Sequence, residues 1–254
     1  MRMRRVLLTG VIVAFLFSLT AQAAITQAEI ERVLRNVDNA SSFMTTDFSA
    51  EMTLISQDPE KGVEKHVVRI FRRDREDKFL LLFQEPRALR GQGYLLVDDS
   101  LWFYDPESRK FSHTSLKQNF ASTDAKNSDF RHSTLSDDYR PVSWSEGTLG
   151  AYSVYIIELE AIHDEVTYPY MKLWISKSPN LVLKAEEYSL SKRLLRTSLF
   201  PSYVKVGDSY VPNTMILTDE LVKGRRTQIT MKGISIDKLP DSVFTKSYVE
   251  RVNR

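Results

Sequence analysis

The sequence predicts a mainly β chain, in which one N-terminal helix precedes a long antiparallel sheet curled into a barrel or part of one. Three observations carry this. Apolar residues repeat at helical spacing near the N-terminus and at a period of two through most of the remaining chain. Strand-like stretches recur at intervals of about 8–15 residues, separated by turn chemistry such as Asp58-Pro59, Asp105-Pro106, Ser178-Pro179-Asn180 and Gly207-Asp208. The connections are too short for the crossover helices of a parallel sheet.

The 254 residues are 42% hydrophobic and 27% charged, which excludes a disordered tail and a multipass membrane protein. With no cysteine, a disulfide scaffold, a thiol nucleophile, a Cys-ligated zinc site and a lipidated N-terminal cysteine are all excluded. Glycine is sparse at 9 residues, which disfavours Gly-rich phosphate loops.

Residues 1–23 have the pattern of a secretory signal: Arg2, Arg4 and Arg5, an apolar stretch from Val6 to Thr20, then Ala21-Gln22-Ala23. An uncleaved anchor is the other reading, but the stretch is shorter than the roughly 20 residues of a membrane helix. The expected mature chain, 24–254, is a single domain, begins at Ala24 and is soluble in the periplasm. Cleavage takes three of the 35 basic residues, leaving 32 against 33 acidic ones. A near-neutral chain gives no basic face for nucleic acid.

Thr26-Gln27-Ala28-Glu29 fits a capping box, and Ile30, Val33, Leu34 and Val37 then form one apolar stripe on a helix over about 26–38. Strands are predicted near 44–56, 63–73, 78–84, 93–97, 101–105 and 109–116. A second set is predicted near 151–161, 168–176, 181–190, 194–206, 209–218 and 225–236. The exception is 117–148, a polar stretch with scattered Phe120, Phe130, Leu135 and Tyr139. It reads either as a lid with short helical turns or as a disordered insertion.

Side-chain parity defines a face. Tyr155, Ile157 and Leu159 share one side of their strand, as do Met171, Leu173 and Ile175; Met215 and Leu217; and Ile229 and Met231. Their alternates, including Glu158, Glu160, Lys172, Lys184 and Glu186, form a wet side. The apolar side is either an ordinary packed core or a surface that holds a ligand. Three methionines suit a variable apolar partner.

No catalytic constellation emerges. The four histidines, His66, His113, His132 and His163, lack metal-ligand spacing, and no nucleophile elbow or phosphate loop is present. His163-Asp164-Glu165 falls in a hairpin turn. No catalytic residue, metal or cofactor is expected.

One segment is more specific. Tyr94 to Pro106 reads YLLVDDSLWFYDP and resembles the L-V-S-D-G-x-x-L-W-F-Y-N-P hairpin of the LolA family of periplasmic lipoprotein carriers. Phe83 to Gly91, FQEPRALRG, resembles the F-x-x-P-x-x-x-(K/R)-G turn of the related outer-membrane lipoprotein-sorting proteins. Phe120-Ala121-Ser122-Thr123-Asp124 through Phe130 matches that group's S-F-x-G-S-D-F stretch more loosely. The late Leu239-Pro240-Asp241-Ser242-Val243-Phe244 agrees in order.

The resemblance implies an open, incomplete antiparallel barrel whose apolar concave face is covered by helices, with acyl chains bound between sheet and lid. On that reading the cavity comprises Leu81, Phe83, Leu95 and Trp102 from the early strands. Ile157, Leu159, Met171, Leu173, Ile175, Met215, Leu217, Ile229 and Met231 complete it from the late ones. The lid comprises Val33, Leu34, Val37, Phe120, Phe130 and Leu135.

The family also carries an arginine that helps hold the lid closed; Arg73 is the nearest position, and a local turn role among its charged neighbours is the competing reading. The implied function is to shield acyl chains of lipoproteins or of another lipid, received from an inner-membrane donor and passed to an outer-membrane acceptor. Two alternatives stand beside it: an RseB-like regulatory binding protein of envelope-stress signalling, and a lipid-processing enzyme. The sequence does not specify an oligomeric state.

Overall fold

The computed structural model describes residues 25–252; the predicted signal 1–23 and the expected start at Ala24 lie outside the described residues. Helix α1, Gln27–Ser41, opens on the expected capping box. The Glu29 amide donates to the Thr26 hydroxyl at 3.3 Å, and the Thr26 amide donates to the Glu29 carboxylate at 2.8 Å. Its stripe of Ile30, Val33, Leu34 and Val37 is buried.

Thirteen strands among the described residues form one sheet of two arms. The first arm is β1 (Phe48–Asp58), β2 (Gly62–Arg73), β3 (Lys78–Glu85), β4 (Gly93–Val97), β5 (Ser100–Asp105) and β6 (Lys110–Thr114). The second is β7 (Tyr139–Leu149), β8 (Tyr152–Ala161), β9 (Tyr170–Ser176), β10 (Val182–Tyr188), β11 (Leu194–Val206), β12 (Ser209–Asp219) and β13 (Arg226–Ser235).

Each arm is an antiparallel meander. They join where β1 pairs with β13, placing Met52 opposite Met231 and Leu54 opposite Ile229. The edges β6 and β7 do not pair, so the barrel is open. The segment connecting those two edges, 115–138, folds back across the concave face. It contains a 3-10 turn, Asn127–Phe130, and a single helical turn α2, Leu135–Asp138.

Strand β7 corrects the sequence reading, which left 117–148 without a strand. It lies at the edge, pairs with β8 alone among the described residues and carries Pro141 and many exposed positions, so its apolar alternation is weak.

The apolar concave face is covered in two places. Helix α1 packs Ile30, Val33, Leu34 and Val37 on Ile157, Leu159, Leu173, Ile175 and Ala185. The 115–138 segment places Phe120, Ala125 and Phe130 among Leu81, Phe83, Tyr94, Leu96 and Leu101. Phe120 stacks on Phe83 with ring centroids 5.1 Å apart and meets Phe130 edge-on at 4.9 Å.

The convex face of the first arm is buried as well. A 3-10 turn, Asp241–Phe244, and helix α3, Lys246–Arg251, lay Val243, Phe244 and Val249 on Leu80, Leu82, Leu95 and Tyr104. Gly93 allows the close approach: a Cβ there would meet the Leu81 carbonyl at 3.1 Å and Val249 at 3.5 Å.

His66 sits on the concave face beside Phe83, and its Nδ1 has no hydrogen-bond partner among the described residues. Burial holds its pKa below the ordinary histidine value, outweighing Glu64. The folded chain keeps His66 neutral where the unfolded chain takes up a proton. Stability from this site is therefore complete above about pH 6.5 and lost as pH falls below it, by at most about 1.4 kcal/mol per pH unit. Denaturant unfolding of the wild type and of His66→Phe at several pH values is expected to show this component only in the wild type.

Candidate functional site: a lidded apolar cavity

Between the two covered regions of the concave face lies a cavity of about 390 Å³, within the range of small-ligand sites. Six of the predicted cavity residues line it: Met171, Leu173, Met215, Leu217, Ile229 and Met231. Val37 of α1 and Leu135 of α2 face it from the lid side. The strand period of two brings these side chains together from β9, β12 and β13.

The other predicted residues are placed differently. Ile157, Leu159 and Ile175 are sealed under Val33 and Leu34 of α1. Leu81 and Phe83 share the concave face but are covered by Phe120 and Phe130. Leu95 and Trp102 do not belong to the cavity. They pair across β4 and β5 on the convex face, where Leu95 packs on the C-terminal segment and Lys246 Nζ lies 3.0 Å from the Trp102 ring centroid.

The sequence signal for Leu95 was present in the run Phe79-Leu80-Leu81-Leu82-Phe83. Continuous apolar character marks a strand buried on both faces, so its neighbour β4 also packs on both sides.

Arg73 is not placed to hold the lid. Its neighbour Arg72 faces the cavity, packed over Phe48, and parity sends Arg73 to the convex face. There Arg73 donates to both oxygens of buried Asp47 at 3.1 Å, to Asp241 at 2.6 Å and to the Leu239 carbonyl at 2.6 Å. Burial alone would raise the Asp47 carboxyl; Arg73, the Leu239 amide and Arg75 outweigh it and hold the pKa below the usual value. Arg73 thus clamps the start of the C-terminal segment.

The group that does hold the lid is Arg196, which sequence reasoning missed. Arg196 is paired in register with Glu187 across β11 and β10, on the apolar side with Ala185 and Ser198. Its guanidinium reaches lid residue Asp129 through Nη1 at 2.6 Å and Nη2 at 2.9 Å. It reaches Glu187 through Nε at 3.2 Å and Nη2 at 3.0 Å. Burial works against the Arg196 charge, but the carboxylates of Asp129 and Glu187 raise its pKa above the ordinary arginine value. Burial pushes the Glu187 carboxyl up, against the pull of Arg196. The available signal was an acid and a base at matched apolar-parity positions of consecutive strands.

Further bonds tie the lid to both arms. Arg131 binds Asp77 beyond β2, and Asp124 accepts from Thr227 of β13 at 2.7 Å. Asp38 of α1 accepts from the amides of Leu135 and Ser136 at 2.9 and 2.8 Å and from the Ser133 hydroxyl. His163, whose ring bonds Asp138 and Glu165, lies at the cavity rim. Among the described residues, no His, Asp and Glu group is arranged to hold a metal ion, and no helix is long and apolar enough to cross a membrane.

Comparison with known proteins extends this picture. A family model described as an uncharacterized protein family matches residues 75–251. A search of curated protein sequences returned no match. Among solved structures, the LolA superfamily protein NE2245 from Nitrosomonas europaea is similar at a TM-score of 0.76 and 25% identity, over 89% of this chain and 100% of that one. A candidate outer membrane lipoprotein-sorting protein domain from Vibrio parahaemolyticus is similar at 0.75 and 21% identity, over 87% and 99% of the two chains. A DUF1329 family protein from Desulfovibrio piger is similar at 0.76 and 21% identity, over 87% and 98%. The chain belongs to the DUF1329 family, whose model it matches over residues 75–251, and its open antiparallel barrel is the LolA-like fold.

Proposed function

We propose that this protein is a periplasmic carrier that binds acyl chains of lipoproteins, or of another lipid, beneath its lid and delivers them toward the outer membrane. It acts by binding, without a covalent step. The observation that carries this reading is the cavity itself: an apolar space lined by flexible Met171, Met215 and Met231 and closed by a segment held through polar bonds. The export pattern of residues 1–23 and the likeness to a LolA superfamily protein support it.

The energetics suit a carrier. Burying a methylene contributes about 0.8 kcal/mol, so an acyl chain of about fourteen carbons gains on the order of 10 kcal/mol. Lid opening and lost ligand freedom offset much of that, which keeps the ligand releasable.

Met215→Trp tests the cavity. In a filled core the added volume would cost about 1–3 kcal/mol. Here the ring is expected to enter the space acyl chains use, changing stability by less than about 1 kcal/mol and weakening displacement of a fluorescent fatty acid about tenfold or more. Mass spectrometry of protein purified without detergent is expected to detect bound lipid. Strong destabilisation with unchanged lipid binding, or no lipid bound in either assay, would reject the carrier reading.

A further inference from the structure

Arg196 lies inside an otherwise largely apolar cavity, yet its charge is almost wholly removed from water. It makes five hydrogen bonds, two to Glu187 and three to the lid: both oxygens of Asp129 and the carbonyl of Asp124 at 3.2 Å. Glu187 is fixed to the sheet and receives a further bond from the Ser198 hydroxyl at 2.9 Å. Asp129 is carried by the lid. When the lid lifts, Arg196 keeps Glu187 and loses the other three bonds together.

A buried guanidinium left with unsatisfied donors is costly, and its forked geometry matches a pair of anionic oxygens better than a hydroxyl or an ester. The face of the guanidinium is held by the Tyr168 ring, with its carbon 5.0 Å from the centroid, so the fork stays aimed when Asp129 departs.

We propose that Arg196 is a head-group seat: an anionic group at the end of an acyl chain takes the place of the Asp129 carboxylate and so opens the lid. The ligand class is then an anionic lipid, with either a carboxylate or a phosphodiester supplying the oxygens. The exchange conserves charge, because one anion replaces another beside the same cation. Asp129 thereby acts as a built-in competitor that keeps the cavity shut when no such lipid is present. This inference rests on the carrier reading and names its ligand.

The test compares matched pairs of ligands on the delipidated full-length mature chain: palmitate against hexadecanol, and dioctanoyl-phosphatidylglycerol against dioctanoylglycerol. Each competes with a neutral fluorescent probe. Charged hydrogen bonds contribute enough that the wild type is expected to prefer the anionic member of at least one pair by about tenfold or more. The pair with the larger preference identifies carboxylate or phosphate as the group seated.

Arg196→Met is expected to abolish the preference while neutral ligands still bind. The double variant Arg196→Met with Glu187→Met removes the fully buried carboxylate together with its cation, leaving Asp129 with the Lys126 amide, and serves if the single variant fails to fold. Asp129→Asn is expected to keep or widen the preference. Equal binding of charged and neutral members by the wild type would overturn the head-group seat and leave the carrier reading standing. Failure of all four ligands to bind would remove the carrier reading itself.

Discussion

Replacing Arg73 with methionine is expected to destabilise the fold by about 3 kcal/mol, the lower end of the cost of a broken buried ion pair, because Arg75 still pairs with Asp47. Asp47 has no exposed side-chain surface and, among the described residues, would keep Arg75 and the Leu239 amide as partners. The Asp241 contact holding the C-terminal segment would be lost with it. The loss should be felt on the convex face, where Val243, Phe244 and Val249 cover Leu80, Leu82 and Leu95. Lid exchange and fatty-acid binding should be little changed in the protein that remains folded.

Denaturant unfolding combined with hydrogen exchange of 115–138 and 239–251 separates the two regions. Faster exchange confined to the lid would restore Arg73 as the lid latch and refute its role as a clamp on the C-terminal segment. The same site gives an acid limb. Because the Asp47 pKa is depressed, its contribution is present above the ordinary carboxylate value and is lost as pH falls through the lowered one.

Phe120→Ala is expected to act on the opposite face and more locally. Phe120 is fully buried, stacked on Phe83 and packed against Tyr94 and Phe130, so removing its ring deletes the centre of the lid's apolar anchor. Large-to-small changes at such aromatic positions cost about 3–5 kcal/mol. Here the loss should fall on lid docking, since the polar bonds from Asp129, Asp124 and Arg131 do not bury comparable apolar surface.

Amide exchange across 117–131 is expected to quicken by roughly 100-fold or more, with the cores of β8, β9 and β12 little affected. Uniform acceleration across the whole sheet would instead make Phe120 part of one indivisible core. Unchanged exchange in 117–131 would show that polar bonds alone hold the lid.

Much of the architecture was legible because it rests on local chemistry and periodicity. The capping box and stripe of α1, the twelve predicted strands and the wet side of the late strands arise from short-range pattern, and Glu158 and Glu160 indeed pair with Lys172 and Arg140 on the solvent side. The hairpin Tyr94 to Pro106 pointed to the right fold. Parity assembled the six residues that line the cavity from β9, β12 and β13. Leu95 and Trp102, placed in the cavity on the family resemblance, lie on the convex face instead; β3 and β4 are apolar on both sides, so parity cannot say which side is concave until the C-terminal segment is seen to cover one of them.

By itself, then, the sequence determined a helix and, after it, an antiparallel meander with one apolar and one polar side on its late strands, since these depend on the residue-by-residue alternation of water-seeking and water-avoiding groups. The family resemblance already implied an open barrel; only the tertiary structure decided that the two arms join at β1 and β13 and that the opening lies between β6 and β7. It likewise decided that Arg196 rather than Arg73 meets the lid. These outcomes depend on contacts between residues tens to hundreds of positions apart, such as Asp129 with Arg196 and Arg73 with Asp241. Such pairs are selected by how buried charges find partners once the sheet has curled, and no local pattern along the chain encodes which partner that will be.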